Sequence, residues 1–137
     1  MTPAVRLTAA VLGTPDPGGL ARFYGRLLGW PLRDDGEEWA TLRPADGGPG
    51  LSFQLEADHV PPVWPPEPGT QQMQQHLDFE VEDLAAAGAH AEAAGARYLS
   101  GYTEPYEDVR TYADPAGHPF CLFVSLDGGA PSSGPEG

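Results

Sequence analysis

Apolar residues along this chain follow strand-like patterns in some segments and helix-like spacing in others, and the two kinds of segment occur in a regular order. Residues 5–12 (VRLTAAVL) are mainly apolar and predict a strand. The segment TPDPGG, with Asp16 and Pro17, then supplies the residue types that start helices. Apolar side chains recur after it at intervals of three and four residues, the spacing of one helix face, and Gly29 is typical of a helix end. The members of this stripe are Leu20, Phe23, Tyr24, Leu27 and Leu28. The chain is therefore predicted to start with a strand and an amphipathic helix.

Three short strands are predicted after this helix. The segments are 31–35 (PLRDD), 38–44 (EWATLRP) and 51–57 (LSFQLEA), and turn-forming residues such as the pair Asp35-Gly36 separate them. The first part of the chain thus has the predicted order β-α-β-β-β.

A proline-rich segment follows, and the same order of elements then begins again. Prolines crowd residues 57–70, which excludes a central strand or a helix there. Beyond this segment we predict a strand at 76–81 (HLDFEV) and an alanine-rich helix from Asp83 to about Ala94, with Gly95 as its C-cap. Three further strands are predicted at RYLSG, DVRTYAD and HPFCLFV.

An offset of 67 residues aligns the two halves, and it places Asp83 on Asp16, Gly117 on Gly50, Phe120 on Phe53 and Leu122 on Leu55. Because the order of elements agrees as well, we interpret the chain as a duplication of about 60 residues. The expected fold class is α+β, with two βαβββ modules that form a curved mixed sheet around a cleft and carry their helices outside. The expected boundaries are 1–56 for the first module, 57–74 for a linker, 75–125 for the second module and 126–137 for a flexible tail.

Strand alternation assigns side chains to the two faces of this sheet. Leu77, Phe79 and Val81 share one face and are expected to pack under the second helix, which leaves His76 on the other face. The same alternation sends Cys121 and Phe123 in the second module, and Gln54 in the first, to the face away from the helices. We therefore predict that His76, Gln54, Cys121 and Phe123 line the cleft.

The composition indicates a soluble, cytoplasmic protein. Hydrophobic residues make up 40% of the 137-residue chain, no run approaches the roughly 18 apolar residues of a membrane span, and no secretory signal pattern is found at the N-terminus. Cys121 is the only cysteine, which excludes an intramolecular disulfide. The net charge of −13 argues against a nucleic-acid partner and favours cationic ligands, or else only maintains solubility.

Aromatic residues supply candidate walls for a ligand. Trp39, Trp64 and Tyr106 are predicted to contact a large aromatic guest, although such side chains also occur as ordinary core or surface residues. Trp64 stands between two Pro-Pro pairs, a stiff setting in which a core role is hard to explain. We predict that Trp64 partly covers the cleft.

Three stretches of the chain together resemble the vicinal oxygen chelate superfamily. They are DPGGLARFYGRLLGW after the first strand, QHLDFEVEDL at the start of the second half and YADPAGHPFCLF at its end. The resemblance spans roughly residues 5–125. The superfamily contains glyoxalases, extradiol dioxygenases and bleomycin-resistance proteins, so the resemblance implies the fold more specifically than the function.

The resemblance also implies where a metal would bind. Metal-dependent members place one ligand on the first and one on the last strand of each module, and the matching positions here are Ala9, Gln54, His76 and Cys121. Ala9 has no donor atom, and Cys121 replaces the usual glutamate, so we expect no cofactor. If a divalent metal does bind, its expected ligands are His76, Gln54 and Cys121. Otherwise His76 is a polar group lining the cleft or a histidine hydrogen-bonded at a strand end.

These observations leave three hypotheses for function. The first is a small-molecule-binding protein of the glyoxalase/bleomycin-resistance type that sequesters a hydrophobic, aromatic or cationic compound such as an antibiotic. The second is a glyoxalase-like lyase, isomerase or dioxygenase with an atypical metal site, and the third is a structural module. Open sheet edges and the resemblance imply a homodimer.

Overall fold

The computed structural model describes residues 3–101 and 108–124. These residues form two compact units, with the division between His59 and Val60. Each unit contains one helix and four strands in the order β-α-β-β-β, and each has one four-stranded mixed sheet. The predicted α+β class and the predicted βαβββ order are therefore confirmed. In the described part of the chain, no helix is long and apolar enough to cross a membrane.

The first unit has its parallel strand pair at one side of the sheet. Its elements are β1 (Ala9–Thr14), α1 (Pro17–Leu28), β2 (Leu32–Asp35), β3 (Trp39–Leu42) and β4 (Gly50–Leu55). The spatial order is β1-β4-β3-β2, with β1 parallel to β4 and the other neighbours antiparallel. Two parallel neighbours cannot be joined by a tight turn. The chain therefore passes from β1 through α1, β2 and β3 before β4 pairs with β1.

Helix α1 begins and ends at the residues that the sequence predicts. The Asp16 carboxylate accepts a hydrogen bond from the Gly19 amide at 3.0 Å, and Gly29 ends the helix in the left-handed conformation with φ of 72°. The buried stripe of α1 includes Tyr24, whose ring stacks on Phe53 of the sheet at 5.8 Å between centroids. Helix and sheet therefore share one apolar layer in this unit.

The first strand is shorter and later than the sequence predicts. β1 starts at Ala9, directly opposite Gly50, the first residue of β4. Residues 3–8 lie outside the strand, and Val5 and Leu7 are 91% and 71% exposed. The predicted strand is present, but it begins later than residue 5. The first amide of β4, that of Gly50, donates to the Thr8 carbonyl, so β4 has no earlier residue with which residues 3–7 could pair.

The second unit repeats this topology. Its elements are β5 (Leu77–Glu80), α2 (Leu84–Ala94), β6 (Arg97–Gly101), β7 (Val109–Ala113) and β8 (Pro119–Phe123). The spatial order is β5-β8-β7-β6, again with a parallel pair followed by antiparallel neighbours. Asp83 caps α2 by accepting the Ala86 amide at 3.0 Å, and Gly95 ends it, as predicted.

The apolar side chains of the strands lie under the helices. In β4, Leu51 and Phe53 are buried, and in β8, Phe120 and Leu122 are buried, but the neighbouring Ser52 and Cys121 are buried as well. The stacking of Tyr24 of α1 on Phe53 agrees with the predicted face of β4. Phe79 is half-buried and contacts Phe120 edge to face at 5.8 Å. Leu55 differs from the prediction, since it is 37% exposed at the end of β4.

A tight turn joins β7 to β8. The buried Asp114 carboxylate accepts the amides of Ala116 and His118, each at 2.9 Å, and Gly117 adopts a positive φ of 90°. Pro61 lies where a side chain on Gly117 would project. This turn therefore fixes the start of β8 and holds part of the proline-rich segment against the second unit.

Candidate functional site

The face of each sheet opposite its helix, here called the polar face, carries a row of side chains that runs across all four strands. In the second unit, the register places Asp78 of β5 beside Cys121 of β8, Cys121 beside Thr111 of β7, and Thr111 beside Ser100 of β6. The Thr111 hydroxyl lies 3.3 Å from the Cys121 sulfur. We call these four residues the second polar row.

A cluster of metal-binding atom types lies at the β5 end of the second polar row. One donor atom each from His76, Asp78 and Cys121 lies within 4.8 Å of the others. His76 Nε2 is 3.1 Å from Asp78 Oδ1, and the His76 side chain is 21% exposed. The distance is that of an ion pair, but Nε2 has no hydrogen-bond partner of suitable direction among the described residues. His76 Nε2 is thus not bonded into the sheet.

Trp64 contacts the opposite end of the same row. Its indole Nε1 donates to the Ser100 hydroxyl at 3.4 Å, and the side chain is half-buried. Because Ser100 pairs with Thr111, Trp64 meets the strand residues that share the polar face. Whether it covers a bound ligand stays a prediction.

The polar face of the first sheet has an equivalent row. The register places Val11 of β1 beside Ser52 of β4, Ser52 beside Thr41 of β3, and Thr41 beside Asp34 of β2. The Thr41 and Ser52 hydroxyl oxygens are 3.4 Å apart, and the Trp39 indole Nε1 donates to Thr41 at 3.0 Å. We call Val11, Ser52, Thr41 and Asp34 the first polar row.

A depression of about 620 Å³ lies over the first polar row. Trp39, which is 41% exposed, forms part of its lining together with Arg33, Arg43 and the hydroxyl pair. Its volume is in the range of small-molecule sites, roughly 300 to 1,000 Å³. The first unit by itself therefore offers space, an aromatic surface and polar groups.

Gln54 does not take the position that the sequence offset gave it. Cys121 pairs with Thr111, and in the first unit Ser52 holds the corresponding place beside Thr41. Gln54 lies one step further along β4, exposed, where its amide donates to the Glu56 carboxylate at 2.6 Å. A single offset cannot align every strand, because the connections between strands differ in length in the two units.

The remaining predicted site residues are placed only in part. Phe123 lies at the end of β8, half-buried, between Glu80 and Val109 in the register. Tyr106 falls outside the described residues. Sequence reasoning missed the two arginines and the hydroxyl pairs, although the alternation of Trp39, Thr41 and Arg43 along one strand indicated a shared face.

The ligand set that the resemblance implies for a metal does not fit this chain. In the first unit, Ala9 has no donor atom, and Gln54 offers only its amide oxygen, since its Nε2 donates to the Glu56 carboxylate. The cluster in the second unit does offer one nitrogen, one oxygen and one sulfur donor. Such a mixed set suits zinc better than the oxygen-preferring ions. Among the described residues, the cluster is the single group of three that could hold a metal ion.

Comparison with known proteins agrees with the geometry. A family model described as "Glyoxalase-like domain" matches residues 9–123. No curated protein sequence matches the chain at a significant level.

Several solved structures share the fold. A glyoxalase/bleomycin resistance protein/dioxygenase family enzyme from Burkholderia phytofirmans is 16% identical with a TM-score of 0.68, covering 89% of this chain and all of that one. A glyoxalase-related enzyme from Fulvimarina pelagi is 21% identical with a TM-score of 0.63, covering 87% of each chain. The fosfomycin resistance protein FosX from Mesorhizobium loti is 10% identical with a TM-score of 0.63, covering 90% of this chain and 93% of that one. The chain therefore belongs to the glyoxalase-like domain family, within the vicinal oxygen chelate superfamily.

Proposed function

We propose that this protein binds a hydrophobic or aromatic small molecule and sequesters it without chemistry, in the manner of a bleomycin-resistance protein. The observation that carries the proposal is the polar face of the first sheet. There Ala9 has no donor atom at one of the positions expected to hold a metal ligand, while Trp39 stands exposed beside a depression of about 620 Å³. An exposed indole held by a hydrogen bond to Thr41 is a pre-oriented surface for a flat ring.

Trp64 supports the same proposal from the second unit. Its indole is also held by a hydroxyl on the polar face, that of Ser100. A fosfomycin resistance protein with this fold shows that the scaffold accommodates antibiotic resistance in at least one relative. The net charge of −13 extends the expected ligands to cationic compounds at long range.

A second function is favoured by the cluster of His76, Asp78 and Cys121. This function is a glyoxalase-like lyase, isomerase or dioxygenase with an atypical metal site. A zinc ion held by these three side chains would supply Lewis acidity to a bound carbonyl or hydroxyl group. The cluster itself would fix the donor geometry, with Thr111 hydrogen-bonded to the sulfur and orienting it.

Assembly and location remain predictions. We expect a homodimer, because family resemblance and exposed apolar residues such as Val5 and Leu7 favour association. Light scattering at tens of micromolar protein would contradict this if it gave only the monomer mass. We also expect a cytoplasmic location.

Two measurements separate the functions. The full chain, purified without chelator, is analysed for metals and then titrated with Zn²⁺. Sequestration without chemistry predicts no stoichiometric metal and a positive thermal shift with aromatic antibiotics. Stoichiometric zinc that is lost in both His76→Ala and Cys121→Ser, but kept in the control Gln54→Ala, would favour the metal-dependent function instead.

A further inference from the structure

The depression on the first polar face carries positive charge in a strongly acidic chain. All seven basic residues of the chain are arginines, and two of them, Arg33 and Arg43, line the depression. The lining contains a single acidic residue, Asp34. The local charge is therefore opposite in sign to the net charge of −13.

Neither guanidinium is neutralised by a carboxylate among the described residues. The ion pairs of Arg22 with Asp35 and of His76 with Asp78 involve neither of these two arginines. Arg43 makes a long hydrogen bond, 3.5 Å from Nη1 to the backbone carbonyl oxygen of Thr8. A guanidinium has five N–H donors, so most of the hydrogen-bonding capacity of both side chains is available to a ligand.

Strand geometry brings the two arginines to the same face. Trp39, Thr41 and Arg43 alternate along one strand and its extension, so they project to one side. A register irregularity between Leu32 and Asp34 in β2 disturbs the alternation there. Such a bulge turns two successive residues toward one side, which explains why Arg33 and Asp34 both line the depression.

The remaining lining suits a flat ring. Trp39 exposes 41% of its surface, and its indole nitrogen is already satisfied by Thr41, which fixes the ring plane. The hydroxyls of Thr41 and Ser52 are buried and bonded to each other, so they form a polar floor that needs no further partner. An aromatic surface beside two guanidiniums can stack on a ring while the guanidiniums form bidentate hydrogen bonds to a carboxylate.

We infer that this depression binds an aromatic carboxylate, with the ring against Trp39 and the carboxylate between Arg33 and Arg43. The inference rests on the proposed function and specifies its ligand class. A cation in the same place would meet two guanidiniums and only the one carboxylate of Asp34. The net negative charge of the chain slows the approach of an anion. Once the anion is bound, however, the charges within a few ångströms of it, here the two guanidiniums, determine its affinity, because more distant charges are screened by salt.

The test uses three ligands of one shape. Naphthalene-2-carboxylate, naphthalene-2-carboxamide and a 2-naphthyl-trimethylammonium salt are titrated into the full-length protein by calorimetry at low salt. The carboxylate is expected to bind at least about tenfold more tightly than the carboxamide. The reason is that hydrogen bonds to a charged group are stronger than hydrogen bonds to a neutral group by about that factor. The double variant Arg33→Gln/Arg43→Gln is expected to lose this preference.

A matched variant controls for net charge. Arg22→Gln/Arg97→Gln removes two exposed arginines outside the depression, so it changes the chain charge equally and should leave the preference intact. Equal binding of all three compounds, a preference for the ammonium salt, or an equal loss in the control variant would overturn the carboxylate inference while leaving aromatic binding in place. If none of the three binds up to millimolar concentration, the inference is wrong, and the thermal shift with aromatic antibiotics then decides the proposed function separately.

Discussion

The polar faces of the two sheets have the same backbone register but carry side chains of different chemical types. Thr41 beside Ser52 in the first unit corresponds to Thr111 beside Cys121 in the second, and each pair is in hydrogen-bond contact. The first strands differ: Val11 holds the place in β1 that Asp78 holds in β5. The first unit thus presents arginines and an open depression, and the second presents a cluster of metal-binding atoms. Two units of the same topology thus carry different side chains on the same face.

Removing a buried phenylalanine ring should destabilise the two units by similar amounts, and this is the largest effect we expect. Phe53 and Phe120 are fully buried, and each stacks on a tyrosine, Tyr24 and Tyr112 respectively. Replacing either phenylalanine by alanine is expected to cost about 3 to 5 kcal/mol of unfolding free energy. Denaturant titration measures it, with Leu55→Ala, which removes a partly exposed side chain, as the control. A small loss in Phe120→Ala alone would show that the second core is packed differently.

The helices should respond in opposite directions to an added methyl group. On Gly88 of α2 a Cβ would overlap the hydroxyl of the fully buried Tyr112, so Gly88→Ala is expected to cost about 1 to 3 kcal/mol. On Gly25 of α1 the nearest atoms would be 3.6 and 3.7 Å away, an ordinary contact. Gly25→Ala should therefore stabilise the protein by up to about 1 kcal/mol, the difference in helix propensity.

Thermal melting of both variants checks this contrast. Equal shifts in the two glycine variants would mean that α2 can move away from β7 without loss. The comparison is informative because the sequence change is identical and only the neighbours differ.

The two tryptophans should matter for binding more than for stability. Trp39→Ala and Trp64→Ala are each expected to weaken binding of an aromatic ligand by about 1 to 3 kcal/mol, the scale of a lost aromatic anchor. Neither change should lower the melting temperature much, because Trp39 is 41% exposed and Trp64 is half-buried. Calorimetry with naphthalene-2-carboxylate measures the effect of Trp39→Ala, and the thermal shift with aromatic antibiotics measures that of Trp64→Ala. If Trp64→Ala unfolded the protein, Trp64 would be part of the core.

The ion pairs should have the smallest effect. Asp78→Asn removes the 3.1 Å contact with His76, and Asp35→Asn removes the 3.8 Å contact with Arg22. Because both carboxylates are about half-exposed, each change is expected to alter stability by no more than about 1 kcal/mol. A larger loss in Asp78→Asn than in Asp35→Asn, seen by urea titration, would show that the cluster also supports the second sheet.

Local sequence signals predicted the elements well but pointed to only some of the residues that the polar faces bring together. Asp16, Gly29, Asp83 and Gly95 end the helices where the sequence places them, because caps depend on backbone groups within one turn. The arginine pair was missed, since it depends on a bulge in β2 that the sequence does not mark. Gln54 was paired with Cys121 by an offset that turn lengths later displaced.

The sequence by itself determined the order of elements, its repetition in the second unit and most of the side chains that lie under each helix, since all three follow from short-range spacing and burial of apolar groups. Tertiary structure alone decided where β1 begins, because a strand needs a partner and β4 starts at Gly50. It also decided which polar residues become neighbours. Cross-strand pairing joins Ser52 to Thr41, and Cys121 to Thr111 and Asp78, and pairing depends on register between segments far apart in the chain.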